Sequence, residues 1–224
     1  DVPYNLENTP AAFDKLCCLI EDFIATLKVP REKILSVGVN ITGRVNPISG
    51  YSYSFFYFEE KPLSLIFEER LKIKVYIEND TRAMAYGEYM KGVVKGEKNI
   101  IFVNISWGLG VGIILDGKLY YGKSGFSGEF GHFCLYDNEI ICHCGKKGCL
   151  ETEASGSALH RMLLERYKEG SSTILSDKIN AGEEITLKDL IDAIMKEDVL
   201  AIEILELIGN NLGKAIAGLM NVVN

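Results

Sequence analysis

The chain lacks any run of about eighteen apolar residues, the length a membrane-spanning helix needs, so no helical span is expected. It opens with no signal-peptide pattern. It has no surplus of positive charge: 24 Lys and Arg stand against 31 Asp and Glu, a net charge of −7. A field of that sign argues against these residues gripping nucleic acid, and leaves open a basic domain elsewhere in a longer protein. Internal repeats and low-complexity tracts are absent too, which sets aside repeat architectures and disordered composition. What remains is globular in composition, 47% hydrophobic and 25% charged, and 224 residues can bury a core as one large domain or two small ones. Six cysteines in metal-like or core-like settings suit a reducing compartment, and a cytoplasmic location is expected.

Strands and helices alternate along the chain, which predicts an α/β class with a cleft. Thr9-Pro10 reads as a helix start, followed by Phe13, Leu16, Cys17, Ile20, Phe23, Ile24 and Leu27 at helical spacing. Cys17 and Cys18 are expected in the core of that helix. Residues 33–41 read as a buried strand, and 44–58 as turn-rich and aromatic, expected to be core and strand. Pro62 opens a helix, Ile73 to Ile77 alternates as a strand, and Asn79-Asp80 falls at its C-terminal end before another helix. A buried strand at 99–105 runs into Ser106-Trp107-Gly108, and a hairpin turn is expected at Asp116-Gly117. Residues 157–168 and 186–224 read as mainly helical, with a capping box opening at Thr186. The last helix is expected to bury Val199, Ile202, Leu205, Ile208, Leu212, Ile216 and Leu219. Two lobes follow, 1–97 and 98–224.

The densest chemistry lies between Gly128 and Glu151. His132, Cys142, Cys144 and Cys149 supply one imidazole and three thiols, a ligand set that suits tetrahedral zinc. Gly145 and Gly148 allow the tight turns that bring the last thiol round. His143, between two of the thiols, competes for the nitrogen position, and free thiols or a disulfide are the plainer alternatives. His132 is favoured because it closes a longer loop. Cys134, alternating with Phe133 and Leu135, is expected in a strand.

Three further groups carry polar chemistry. Asp80, where a strand gives way to a helix, can act as a general base on a hydroxyl, accept its hydrogen bond, or merely cap the helix. Glu129, His132 and Glu151 suit recognition of adjacent sugar hydroxyls, or alternatively support the metal. Gly108 and Gly110 could present N–H groups to a phosphate, or simply permit a tight strand connection. The expected hairpin after them excludes a dinucleotide fingerprint.

Together these residues resemble the ROK family (repressors, open reading frames and kinases). The resemblance runs through Glu78-Asn79-Asp80, Gly87-Glu88, Gly108-Leu109-Gly110-Val111-Gly112, Gly117 and Gly122. It continues through Gly128-Glu129-Phe130-Gly131-His132, Cys142-x-Cys144-Gly145-x-x-Gly148-Cys149-Leu150-Glu151 and Ala154-Ser155. It implies an actin/hexokinase-like (ribonuclease H-like) fold of two α/β domains round a sugar cleft, with a zinc-stapled loop shaping the pocket. It further implies that Asn79, Asp80, Glu129, His132 and Glu151 bind the sugar, with Asp80 the catalytic base in a kinase. Gly43 is similar to the glycine of the loop bordering the sugar, although Thr42 stands where a proline is usual.

The family's Asp-x-Gly-x-Thr phosphate motif is absent, and Ser106-Trp107-Gly108 stands where Gly-Thr-Gly is usual. The bulky Trp107 argues against ATP use. The chain opens at Asp1 without Met and ends at Asn224 inside a helical pattern, so further sequence is expected at both ends. The resemblance thus points first to the effector domain of a sugar-responsive repressor of the N-acetylglucosamine or xylose repressor type. Its partners would be a monosaccharide or amino sugar, DNA through a helix-turn-helix outside these residues, and a second copy in a homo-oligomer. The alternative is a sugar kinase using ATP and Mg2+.

Overall fold

The computed structural model describes residue 2 and residues 4–223. By internal contact the chain forms two compact units, Asp1–Phe102 with Gly112–Gly128, and Val103–Val111 with Glu129–Asn224.

In the first unit, helix α1 (Pro10–Thr26) starts as predicted, with the Thr9 hydroxyl accepting the Ala12 N–H and Pro10 at the first helical position. It buries Phe13, Cys17 and Ile24, whereas Cys18 and Phe23 face solvent. Cys18 therefore departs from expectation: neighbours on a helix point about 100° apart, and the stripe of α1 that packs is centred on Phe13, Cys17 and Ile24, leaving Cys18 outside it. Strand β1 (Val37–Ile41) is shorter than predicted, because Arg31–Lys33 form a 3-10 turn, and only Ile41 in it is fully buried. Among the described strands it pairs only with β4, which leaves its other edge without a ladder. Strands β2 (Val45–Asn46) and β3 (Tyr51–Ser52) form a short antiparallel pair. In the aromatic run, Phe56 is buried while Tyr53 and Tyr57 stay half-exposed, so only part of the run is core.

Helix α2 (Leu63–Leu71) leads to β4 (Val75–Asn79), parallel to β1 in the register Val37↔Val75 to Ile41↔Asn79. Helix α3 (Asp80–Lys91) begins at the next residue, with no intervening loop. The core beneath is aromatic: the Phe13 ring lies 4.7 Å from Phe67 and 5.5 Å from Phe56. Phe67 is fully buried. Phe67→Ala is expected to cost roughly 3–5 kcal/mol of stability, read by denaturant unfolding, because the rigid ring cage cannot collapse into the cavity. A loss below about 1 kcal/mol would contradict this packing.

Strands β5 (Ile100–Ile105), β6 (Leu109–Leu115) and β7 (Lys118–Leu119) make a three-stranded sheet in that order. The predicted turn between β6 and β7 is present, with Asp116 and Gly117 both at positive φ (51° and 76°), the backbone a two-residue hairpin requires.

The second unit is mainly helical: α4 (Gly156–Lys168), α5 (Ser176–Asn180), α6 (Leu187–Met195) and α7 (Val199–Val223). The capping box at Thr186 is present, with Asp189 as its reciprocal partner. Helix α7 packs on α4 and α6 through Leu200, Ala201, Ile204, Ile208, Leu212, Ala215 and Leu219. Val199 and Leu205 are exposed, contrary to the predicted face. Apolar residues occur on more than one side of α7, so its pattern alone does not select the stripe that packs. The predicted helical state of Asn224 lies outside the described residues. Among the described residues no helix is long and apolar enough to cross a membrane.

Candidate functional site

In the second unit a compact loop gathers the thiols. The chain from 130 to 152 holds two 3-10 turns, Phe130–His132 and Leu150–Thr152, joined by isolated antiparallel bridges Cys134↔Cys149 and Ile141↔Lys147. Cys134 thus makes a single bridge rather than part of a longer strand. Gly148 closes the loop at φ 71°, where an added Cβ would lie 2.0 Å from the Tyr136 carbonyl oxygen. No other side chain fits that turn without moving backbone.

This folding brings one donor atom each from His132, Cys142, Cys144 and Cys149 within 4.8 Å of one another. Cys142 Sγ is 3.6 Å from His132 Nδ1, and Cys144 Sγ is 3.6 Å from Cys149 Sγ. An ion about 2.3 Å from each sulfur in a tetrahedron requires edges of about 3.5–3.8 Å, so the donor set fits. Burial pushes the Cys142 thiol up to about 11 and the Cys149 thiol up to about 12. Thiolates there call for a cation between them. His143, the competing nitrogen, is 72% exposed, its Nδ1 3.0 Å from Glu151 Oε1 and 3.9 Å from Cys142 Sγ. With His132 and Glu151 it forms a second potential ligand group overlapping the first.

Glu151 is buried, and its Oε2 accepts the Leu109 N–H at 2.9 Å. A Cβ on Gly108 would come within 2.9 Å of the same oxygen, so the glycine leaves room for the carboxylate. Glu129 Oε2 lies 3.7 Å from His132 Nε2. Gly110 lies within β6, and no helix N-terminus follows the glycines. The preceding turn is held by α4: the Ser106 and Trp107 carbonyls accept the N–H groups of Gly156 and Ser157 at 2.8 and 2.9 Å. The Trp107 indole is half-exposed, 5.3 Å from the His160 ring.

In the first unit the structure brings Gly43, Asn79 and Asp80 together. Asn79 ends β4 and caps α3: its Oδ1 accepts the Arg82 N–H at 3.0 Å. Its Nδ2 donates to the Gly43 carbonyl at 3.0 Å and to Asp80 Oδ1 at 3.2 Å. Asp80 Oδ1 also accepts the Thr81 N–H at 2.7 Å. One carboxylate oxygen of Asp80 is thereby pinned, while Oδ2 accepts no hydrogen bond among the described residues. An oxygen so placed can accept a hydrogen bond from a hydroxyl or take its proton.

Sequence reasoning gave no role to Arg82 and Tyr121. Arg82 is 2% exposed and pairs with Glu78. Burial beside Glu78 pushes the Tyr121 phenol up to about 12. The available signal was Glu78 and Arg82 four residues apart across the predicted strand-to-helix junction.

Residues 6–224 match the ROK family, and the chain belongs to it. Over 207 residues it is 32% identical to the DNA-binding transcriptional dual regulator NagC of Escherichia coli (strain K12), covering 92% of this chain and 50% of that protein. Over 197 residues it is 31% identical to the glucokinase of Halalkalibacterium halodurans, covering 87% of this chain and 60% of that protein. The structure is similar, at TM-score 0.83 and 27% identity, to the ROK glucokinase of Streptomyces griseus in complex with glucose and AMPPNP, over 97% of this chain and 70% of that one. The predicted hexokinase/actin-like fold is thus the family's. The chain spans about half to three-fifths of the length of these curated relatives.

Proposed function

We propose that this chain is the sugar-binding effector region of a ROK transcriptional repressor, with zinc held by His132, Cys142, Cys144 and Cys149. The residues taking sugar hydroxyls are Gly43, Asn79 and Asp80 in the first unit and Glu129, His132 and Glu151 in the second. Zinc is the ion because the four donors are nitrogen and sulfur. It acts as a staple that holds His132 and Glu151 in place. DNA binding belongs to a helix-turn-helix outside these residues, a reading supported by the likeness to the DNA-binding regulator NagC, and the protein works as a homo-oligomer.

The observation carrying the repressor reading is Trp107. Its indole occupies the turn where the kinase-type motif keeps a small hydroxyl residue, and that turn is clamped to α4. A bulky ring there opposes phosphate approach. Sugar binding then shifts DNA affinity through its different affinity for two conformations. The test measures operator binding by the longer protein, with and without glucose, N-acetylglucosamine, N-acetylmannosamine, fructose and xylose. DNA affinity unchanged by every sugar overturns the reading.

A second reading, an ATP-dependent sugar kinase, is favoured by the open Oδ2 of Asp80 and by the likeness to glucokinases. Asp80 would take the hydroxyl proton while the sugar oxygen attacks the γ-phosphate of Mg2+-bound ATP, releasing ADP. Steady sugar-dependent ADP release by the longer protein supports this reading and counts against the first.

A further inference from the structure

We propose that Arg82 is a positioning residue: its buried guanidinium sets the orientation of Asn79 and, through it, of the Asp80 carboxylate. This rests on the reading that Asp80 takes a sugar hydroxyl.

The guanidinium fork meets three separate stretches of the first unit. Nε donates to Glu78 Oε1 at 2.8 Å, Nη1 to the Gly125 carbonyl at 2.8 Å and Nη2 to the Val45 carbonyl at 2.6 Å. The Tyr121 ring lies over it, 5.4 Å from centroid to Cζ, and the Tyr121 hydroxyl donates to Glu78 Oε2 at 3.1 Å. The charge is therefore buried with an acidic partner and two carbonyls. Removing the fork leaves acceptors buried without donors.

One path leads from this fork to Asp80 through Glu78, and the Arg82 main chain adds a hydrogen bond of its own. Glu78 Oε1, held by Arg82, accepts the Asn79 N–H at 2.7 Å. The Arg82 N–H itself donates to Asn79 Oδ1, which fixes the amide so that Nδ2 faces Gly43 and Asp80. The side chain thus reaches the first turn of α3 from behind. It also holds the Gly43–Val45 strand entry against Asn79, since Val45 and Gly43 carbonyls bond to Arg82 and Asn79 respectively. The three guanidinium hydrogen bonds go to Glu78, Gly125 and Val45 rather than to Asp80 Oδ2, so Arg82 acts on substrate only through its neighbours. Lysine keeps the charge but cannot serve three acceptors in a planar fork.

The test uses the full 224-residue chain. Calorimetric titration with glucose, N-acetylglucosamine and xylose is run on wild type, Arg82→Lys, Asp80→Asn and the double variant. Arg82→Lys is expected to weaken binding of the accepted sugar about tenfold, the value of one well-oriented hydrogen bond. In the Asp80→Asn background the same change should do markedly less, because the two residues act on one interaction. The melting temperature should fall equally in both backgrounds, which separates positioning from general stability. Unchanged affinity in Arg82→Lys, or an equal loss in both backgrounds, overturns the assignment.

If Arg82→Lys does not fold, Glu78→Ala replaces it, since it removes the oxygen that links Arg82 to the Asn79 N–H while keeping the fork. If wild type binds none of the three sugars, N-acetylmannosamine and fructose are titrated as well, and binding of none of the five overturns the sugar-binding reading for this chain. Arg82 is then judged by amide hydrogen exchange. Faster exchange of the Thr81 and Arg82 amides in the variant supports its hold on the junction, and unchanged exchange overturns it.

Discussion

Cys144→Ser is expected to release the metal and unfold the loop that carries His132 and Glu151. The loop's regular structure is sparse: two 3-10 turns, two isolated bridges and a Gly148 turn. Short 3-10 segments are poor independent structures. Structural zinc of this ligand type contributes about 10–16 kcal/mol of apparent binding free energy in small domains near neutral pH. Even a fraction of that exceeds the margin on which a folded unit rests. Elemental analysis should find about one zinc per wild-type chain and close to none in the variant. The thermal transition of the second unit should move down in step, and a chelator should reproduce the shift in wild type. Serine is nearly isosteric, so the change removes the ligand without opening a cavity. Retention of both metal and sugar affinity by the variant would refute the site.

Asp80→Asn separates the two functional readings. Asparagine keeps the shape and the oxygen that accepts the Thr81 N–H, so the helix start survives. What it loses is the ability to take a proton at the second position. If the longer protein is a kinase, ADP release should fall by about 10²–10⁴-fold, while sugar affinity falls by about tenfold at most. If it is a repressor, wild type shows no turnover, and the variant weakens the sugar's effect on DNA by about tenfold at most, through one altered hydrogen bond. Undiminished turnover in the variant would remove Asp80 as the base.

The parts of this fold legible in the sequence were those written in local chemistry. Thr9-Pro10, the Thr186 capping box and the Asp116-Gly117 hairpin each depend on a few adjacent residues. The gathering of His132, Cys142, Cys144 and Cys149 was legible because Cys and His at short spacing have few alternative uses. The geometry also separates His132 from His143: the first ring is 18% exposed and faces the thiols, the second is 72% exposed and faces Glu151. Features set by distant partners were not legible. Cys18 and Cys17 look alike in sequence and differ only in which way the helix turns them. The phase of α7 depends on α4 and α6, and Val199 is as apolar as Leu200. The spacing of Glu78 and Arg82 was visible, but the role of Arg82 was not, because its other partners, Val45 and Gly125, come from regions that no local pattern connects.

Trp107 is the only tryptophan in the chain, so selectively excited emission comes from the Ser106–Gly108 turn alone. Its indole is half in water, and its near neighbour is an imidazole that becomes a stronger quencher on protonation. The turn is bonded to the start of α4, and the next residue's amide to Glu151. Any event that moves Glu151 or α4 therefore carries an optical signal of its own, and the protein reports on its second unit without a label.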